Sequence, residues 1–155
     1  MSQDIAKISA NYKYRFNVNN PYFDKLPAED LSLIVVIPSY KEPNISYTLA
    51  SLCQCIKPKG EVELIIVVNA PENAPSEVLD INRHTIGQIK GMEKKLEENK
   101  ISLKLILEEN LPKKFAGAGL ARKIGMDEAL QRWALAKKDG PIICLDADCT
   151  VSKDY

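Results

Sequence analysis

The sequence predicts an α/β domain built on a Rossmann-like, mostly parallel sheet with helices on both faces. Three observations point there. Short β-branched apolar runs recur at 31–37, 62–68 and 141–145, the pattern of strands covered on both faces. Stretches with apolar residues three and four apart lie between them. The resulting order, β-α-β-α-β-α-β, calls for a parallel sheet with right-handed crossovers.

Each element has its own signal. Residues 1–30 are polar and tyrosine-containing, with Pro21 and Pro27 as breakers, and read as an irregular arm ahead of a domain spanning 31–155. Leu31 to Ile37 is the first buried strand, ended by Pro38. A helix follows Asn44, with Ile45, Leu49, Leu52 and Ile56 on one face, and Pro58 and Gly60 close it. Val62 to Val68 is the second strand, followed by a loop through Asn69, Pro71, Asn73 and Pro75. The next helix runs from Ser76 to about Asn99 on the stripe Val78, Ile81, Thr85, Ile89, Met92, Leu96; Gly87 and Gly91 weaken it. Ile101 to Leu107 alternates apolar with Ser and Lys, as suits a strand near a sheet edge. A helix from Ala116 or Gly117 to Lys138 ends at Gly140-Pro141, and Pro141 to Leu145 forms a last buried strand.

Composition narrows the function. Among 155 residues, 21 basic and 21 acidic side chains cancel, which argues against a nucleic-acid or anionic-membrane partner. No apolar run approaches the ~20 residues of a membrane span, and the first residues lack a signal-peptide pattern; the cytoplasm is the expected compartment, with peripheral membrane association of a full enzyme left open. Cys53, Cys55, Cys144 and Cys149 read as free thiols in a reducing compartment. His84, the single histidine, lies on a charged helix, which disfavours a His-dependent triad.

Ligands of open α/β sheets bind outside the carboxyl ends of the strands, near the topological switch point. The loops 38–44, 69–75 and the residues from Asp146 onward are therefore the places to look. Asp146 and Asp148 share one face at a strand end and suit Mg²⁺ or Mn²⁺ carried with a phosphorylated ligand; a solvated acidic turn is the plainer alternative. Gly117, Gly119 and Arg122 open a helix whose free N–H groups attract anions, although close helix packing explains glycines equally well. The dinucleotide fingerprint fails there, because Arg122 occupies the third glycine position. At the end of the first strand, Tyr40 suits stacking on a base and Glu42 suits a ribose hydroxyl.

These pieces occur in a known order. Ile34-Val35-Val36-Ile37-Pro38-Ser39-Tyr40-Lys41-Glu42 resembles the opening strand and loop of family 2 glycosyltransferases of the GT-A fold. Gly119-Leu120-Ala121-Arg122-Lys123-Ile124-Gly125 is similar to that family's Gly-x-Ala-Arg-Asn-x-Gly segment, and Leu145-Asp146-Ala147-Asp148 to its Leu-Asp-x-Asp metal signature. The resemblance covers residues 31–155. It implies that Pro38, Tyr40, Glu42, Asn69, Arg122 and Asp146 serve a nucleotide, and that Asp146 and Asp148 serve Mn²⁺ or Mg²⁺. The implied partners are a nucleoside-diphosphate sugar, UDP-linked by expectation, and a saccharide or lipid-linked acceptor. Two departures stand out. Asn69 occupies the place of the family's Asp at the end of the second strand, and the family's acceptor-binding half, with its general base, would follow the Asp-x-Asp pair. The chain is accordingly expected to carry the donor-binding half of a transferase and no turnover alone; a nucleotide-sugar-binding module without catalysis is the alternative.

Overall fold

A computed structural model describes residues 4–155. Its strands β1 (Leu33–Ser39), β2 (Val62–Pro71), β3 (Ile101–Leu111) and β4 (Ile142–Cys144) form one parallel sheet in the order β3-β2-β1-β4. The helices are α1 (Ile5–Phe16), α2 (Ile45–Cys53), α3 (Ser76–Glu98) and α4 (Ala118–Ala136). The predicted α/β class is the observed one. Strand order grows from β1 through β2 to β3 and then returns to the far side of β1, so the direction switches between β1 and β4.

Alternation along the strands builds two cores. Val35, Ile37, Leu64, Ile66 and Val68 face one way and meet Ile45, Leu49 and Leu52 of α2 and Ile89 and Leu96 of α3. Ile34, Val36, Ile65 and Val67 face the other way, against Ala121, Ala129 and Trp133 of α4. Helix α4 lies very close to the sheet because Gly125 has no side chain: a Cβ there would sit 2.4 Å from Val36 Cγ1. That glycine is a packing residue.

The second face carries a charge. Glu63 of β2 and Arg132 of α4 are each 1% exposed at the side chain. Arg132 Nε donates to Glu63 Oε2 at 2.8 Å and Nη2 to Oε1 at 2.5 Å, a bidentate pair. The guanidinium's Nη1 also donates to the carbonyls of Phe23 and Lys25. The chain between α1 and β1 is thereby clamped onto α4, and Tyr22 N adds a bond to Glu128 Oε2 at 2.9 Å.

Several sequence expectations change. Residues 5–16 of the predicted irregular arm form α1, capped by Asp4 accepting from Ala6 N; residues 1–3 of that arm lie outside the described residues. Helix α2 stops at Cys53, which leaves Ile56 72% exposed and puts Cys55 past the helix. Pro38 lies inside β1. Ile34 N and Val36 O bond toward β4, whose pairing with β1 stops at Val36, so Pro38's missing N–H would face no strand and costs no ladder bond. Strand β2 runs on through Asn69 to Pro71, where the predicted loop begins late, and β3 extends to Leu111 across a register shift. β3 is an edge strand as expected. β4 is the other edge and only half-buried, with Cys144 exposed; a strand with one neighbour cannot be covered like β1 and β2. All four thiols are free.

Arg132→Ala leaves the Glu63 carboxylate buried without its partner and should cost about 3–5 kcal/mol, read as a lowered urea midpoint. Burial holds the Glu128 carboxyl above its usual 4.5, outweighing the backbone donors and Arg132 that pull it down. Its folded state holds the proton more tightly, so its stabilising contribution is complete below pH 4.5 and is lost as pH rises through the raised value. Glu128→Gln should remove that slope from a pH series of denaturant midpoints.

Candidate functional site

The switch point between β1 and β4 gathers three of the sequence motifs. Leu145 N donates to Val36 O at 3.0 Å, continuing the β4–β1 ladder by one residue. The chain then turns: Cys149 N donates to Asp146 O at 3.2 Å. Ala147, at the centre, is buried, whereas Asp146 and Asp148 on either side are exposed. Thr48 of α2 pins the turn from beneath, its hydroxyl donating to Ala147 O at 2.7 Å. Ser51 Oγ accepts from Val151 N at 3.1 Å and donates to Thr48 O at 2.7 Å. A small apolar residue between two acids thus anchors the turn and presents both carboxylates to solvent.

Arg122 reaches this turn from the first turns of α4. Its Nη2 lies 2.6 Å from Asp146 Oδ1, joining residues 24 apart in sequence. Both side chains are more than a third exposed, so the pair adds little stability; its consequence is positional. The helix start beside it is unusual. Gly117 precedes α4 at φ 135°, ψ −175°, a region that only glycine enters readily, and no side chain caps the first N–H groups. Ala118 and Gly119 are exposed, so these donors open toward solvent, and a Cβ on Gly119 would meet nothing.

The loop after β1 leaves the carboxyl end of the strand next to β4. Tyr40 is 43% exposed, an aromatic surface available for stacking. Glu42 is half-buried and already occupied in part: its Oε1 accepts from Asn44 N at 2.8 Å, and its carbonyl accepts from Thr85 Oγ1 at 2.6 Å. Lys41 adopts φ 49°, held by its N–H on Asn82 Oδ1 at 3.1 Å. Asn82 Nδ2 in turn donates to Asn69 O at 3.0 Å, and Asn69 Nδ2 to Ser39 O at 2.9 Å. Pro38 and Asn69 are buried within their strands, so neither is presented as Tyr40 is. Asn69 acts first as a strut between the ends of β1 and β2. Its Oδ1, with Ser39 Oγ, remains buried and unpartnered among the described residues, an uncommon state for polar atoms in a native fold.

The sequence motifs did not disclose Thr48, Ser51 or Asn82, and gave Ser39 no role of its own. Thr48 had a weak signal, a polar residue between Ile45 and Leu49 on the buried stripe of α2. The Asp pair is open to solvent. Asp146 shares one oxygen with Arg122, and Asp148 makes no ion pair among the described residues; its one contact is the Cys149 thiol at 3.6 Å. Among the described residues no three His, Cys, Asp or Glu side chains converge as a ligand set. Two hard oxygen donors on an exposed turn fit Mg²⁺ or Mn²⁺, which take one or two carboxylates and complete their shell with water and substrate phosphate. A separate apolar depression of about 60 Å³, lined by Leu33, Val35, Leu52, Ile143 and Tyr155, lies at the amino ends of the strands, away from these groups.

No family model and no curated protein sequence matches the chain. Among solved structures, it is similar to the crystal structure of S. aureus TarS 1-349, with a TM-score of 0.49 and 22% identity over 79% of this chain and 29% of that one. A further S. aureus TarS structure gives a TM-score of 0.43 and 18% identity over 79% of this chain and 18% of that one. The chain therefore spans less than a third of the structures it matches. Likeness at this level assigns no activity, and the fold class stands on the strand order and register above. Among the described residues, no helix is long and apolar enough to cross a membrane.

Gly117→Ala forces a Cβ onto a backbone region reserved for glycine and should cost about 1–3 kcal/mol, measured as a fall in the thermal or urea midpoint. Gly119→Ala, in open space, should leave the midpoint nearly unchanged.

Proposed function

We propose that this chain is the donor-binding part of a metal-dependent glycosyltransferase, which moves a sugar from a nucleoside-diphosphate sugar to an acceptor hydroxyl. The observation that carries this reading is the meeting of Arg122 with Asp146 at the carboxyl end of β4. Two motifs far apart in sequence converge at the switch point, where ligands of open α/β sheets sit.

Each residue then has a task. Tyr40 stacks on the base, and the unpartnered Asn69 Oδ1 is an acceptor at the end of β2 for a base N–H. Glu42 takes a ribose hydroxyl with the oxygen that Asn44 leaves free. Arg122 and the uncapped N–H groups of α4 face the diphosphate, where positive charge and free donors favour phosphate oxygens. Asp148, aided by the free oxygen of Asp146, would hold Mg²⁺ or Mn²⁺, which would supply Lewis-acid neutralisation of the departing diphosphate. The acceptor, a saccharide or a lipid-linked hydroxyl, and the carboxylate that deprotonates it belong to a part of the enzyme outside this chain.

Calorimetric titration with UDP, and with GDP as comparison, tests the donor site. Binding should require Mn²⁺ or Mg²⁺, and Asp148→Ala should abolish the metal-dependent component. Absence of binding by either nucleotide with the metal present would sink the reading.

A further inference from the structure

A second polar cleft lies between α4 and the segment that follows α1, and reaches Glu108 and Leu111 of β3. Residues 17–22 cross α4 and leave a small cavity of about 30 Å³ against Glu128 and Gln131, enough room for one water-sized group. Val18, Asn19, Tyr22, Ile124 and Asp127 also line an adjoining space of about 260 Å³, which reaches Glu108, Leu111 and Leu120.

Two buried acceptors in this cleft lack donors. Glu128 is 0% exposed and Gln131 is 5% exposed. Glu128 Oε2 takes the Tyr22 N–H, but Glu128 Oε1 and Gln131 Oε1 are buried with no hydrogen-bond partner among the described residues. Residues i and i+3 on one helix are neighbours, so two orphan oxygens stand together on one wall. The nearby guanidinium of Arg132 is committed to Glu63 and to the carbonyls of Phe23 and Lys25. Asp127 is filled by Tyr12 Oη at 2.9 Å and Lys123 Nζ at 2.5 Å. In the larger lobe, Glu108 takes the Tyr22 hydroxyl. Buried acceptors without donors are costly, and a buried carboxylate favours a partner that brings charge as well as N–H groups.

We infer that this cleft binds a small primary amine, its ammonium group donating to Glu128 Oε1 and Gln131 Oε1 and its body lying in the larger lobe. The Glu108 carboxylate in that lobe keeps one oxygen beyond the one that takes the Tyr22 hydroxyl and suits a second ammonium group, so a short diamine fits better than a monoamine. Apolar contacts for the intervening methylenes come from Leu111, Leu120 and Ile124. The site is independent of the donor-site reading: it shares α4 with Arg122 but uses other residues, and it involves neither nucleotide nor metal.

The full chain, labelled with ¹⁵N, tests this by titration with methylammonium, putrescine and tetramethylammonium while the Tyr22 amide shift is followed. The primary amines should give saturable shifts, with putrescine tighter, and tetramethylammonium, which has charge but no N–H donor, should give none. Glu128→Gln should weaken putrescine by about tenfold or more. Gln131→Met, which removes the second acceptor at similar volume, should also weaken it and covers the case in which the first variant does not fold. Absence of a saturable shift with any primary amine would mean that the cleft holds only water and would overturn the proposal. Equal response to tetramethylammonium, or unchanged affinity in the folded variants, would do the same.

Discussion

The ion pair between Glu63 and Arg132 is the constraint on which the arrangement of layers rests. Glu63 stands on β2 in register with Ile34 of β1, and Arg132 on the helix that covers that face. Charges placed there are tolerable only when geometry and hydrogen bonding are nearly complete. Meeting that condition requires α4 at its close distance from the sheet, hence glycine at 125, and requires the carbonyls of Phe23 and Lys25 as further acceptors. The segment before β1 is therefore part of the domain's interior chemistry. Helix α4 buries Glu128, Gln131 and Arg132 alongside Ala129 and Trp133, so it is covered on more than its sheet-facing side.

The same placement of α4 supports the site at the switch point. Gly125 fixes the helix against Val36, and Arg122, one turn earlier, then arrives at the turn that follows β4. Helix α2 approaches from the other face and holds that turn by Thr48. The two carboxylates are thus set by elements on both sides of the sheet, with β1 as the shared reference. Exposed side chains on a firmly held backbone suit a ligand that supplies part of the coordination itself.

Much of this was legible in the sequence for one reason: strands buried on both faces leave continuous apolar runs, and α3 keeps a regular stripe from Val78 to Leu96. The convergence of Arg122 with Asp146 was legible through motif order, since a parallel sheet brings strand ends and helix starts to one edge. Other features were hidden. Helix α1 was masked by the prolines that follow it and by polar residues around a sparse stripe of Ile5, Ile8, Tyr12 and Phe16. The half-burial of β4 depends on its place at the sheet edge, which local composition does not encode. Pro38 looked like a terminator because its tolerance depends on where a strand 100 residues later stops pairing. Ser39, Thr48 and Asn82 resemble ordinary polar residues until the loops they tie are in place.

Pairing of β1 with β4 joins Ile34, Val35 and Val36 to Ile142, Ile143 and Cys144. Such pairing closes a long loop, at an entropy cost that grows only slowly with loop length. The Asp turn hangs from that pairing, so its shape depends on β4 being docked on β1. A partly folded chain presents the two carboxylates on loose backbone, unable to act as a unit. A ligand held by both carboxylates would therefore stabilise the β1–β4 pairing along with the turn.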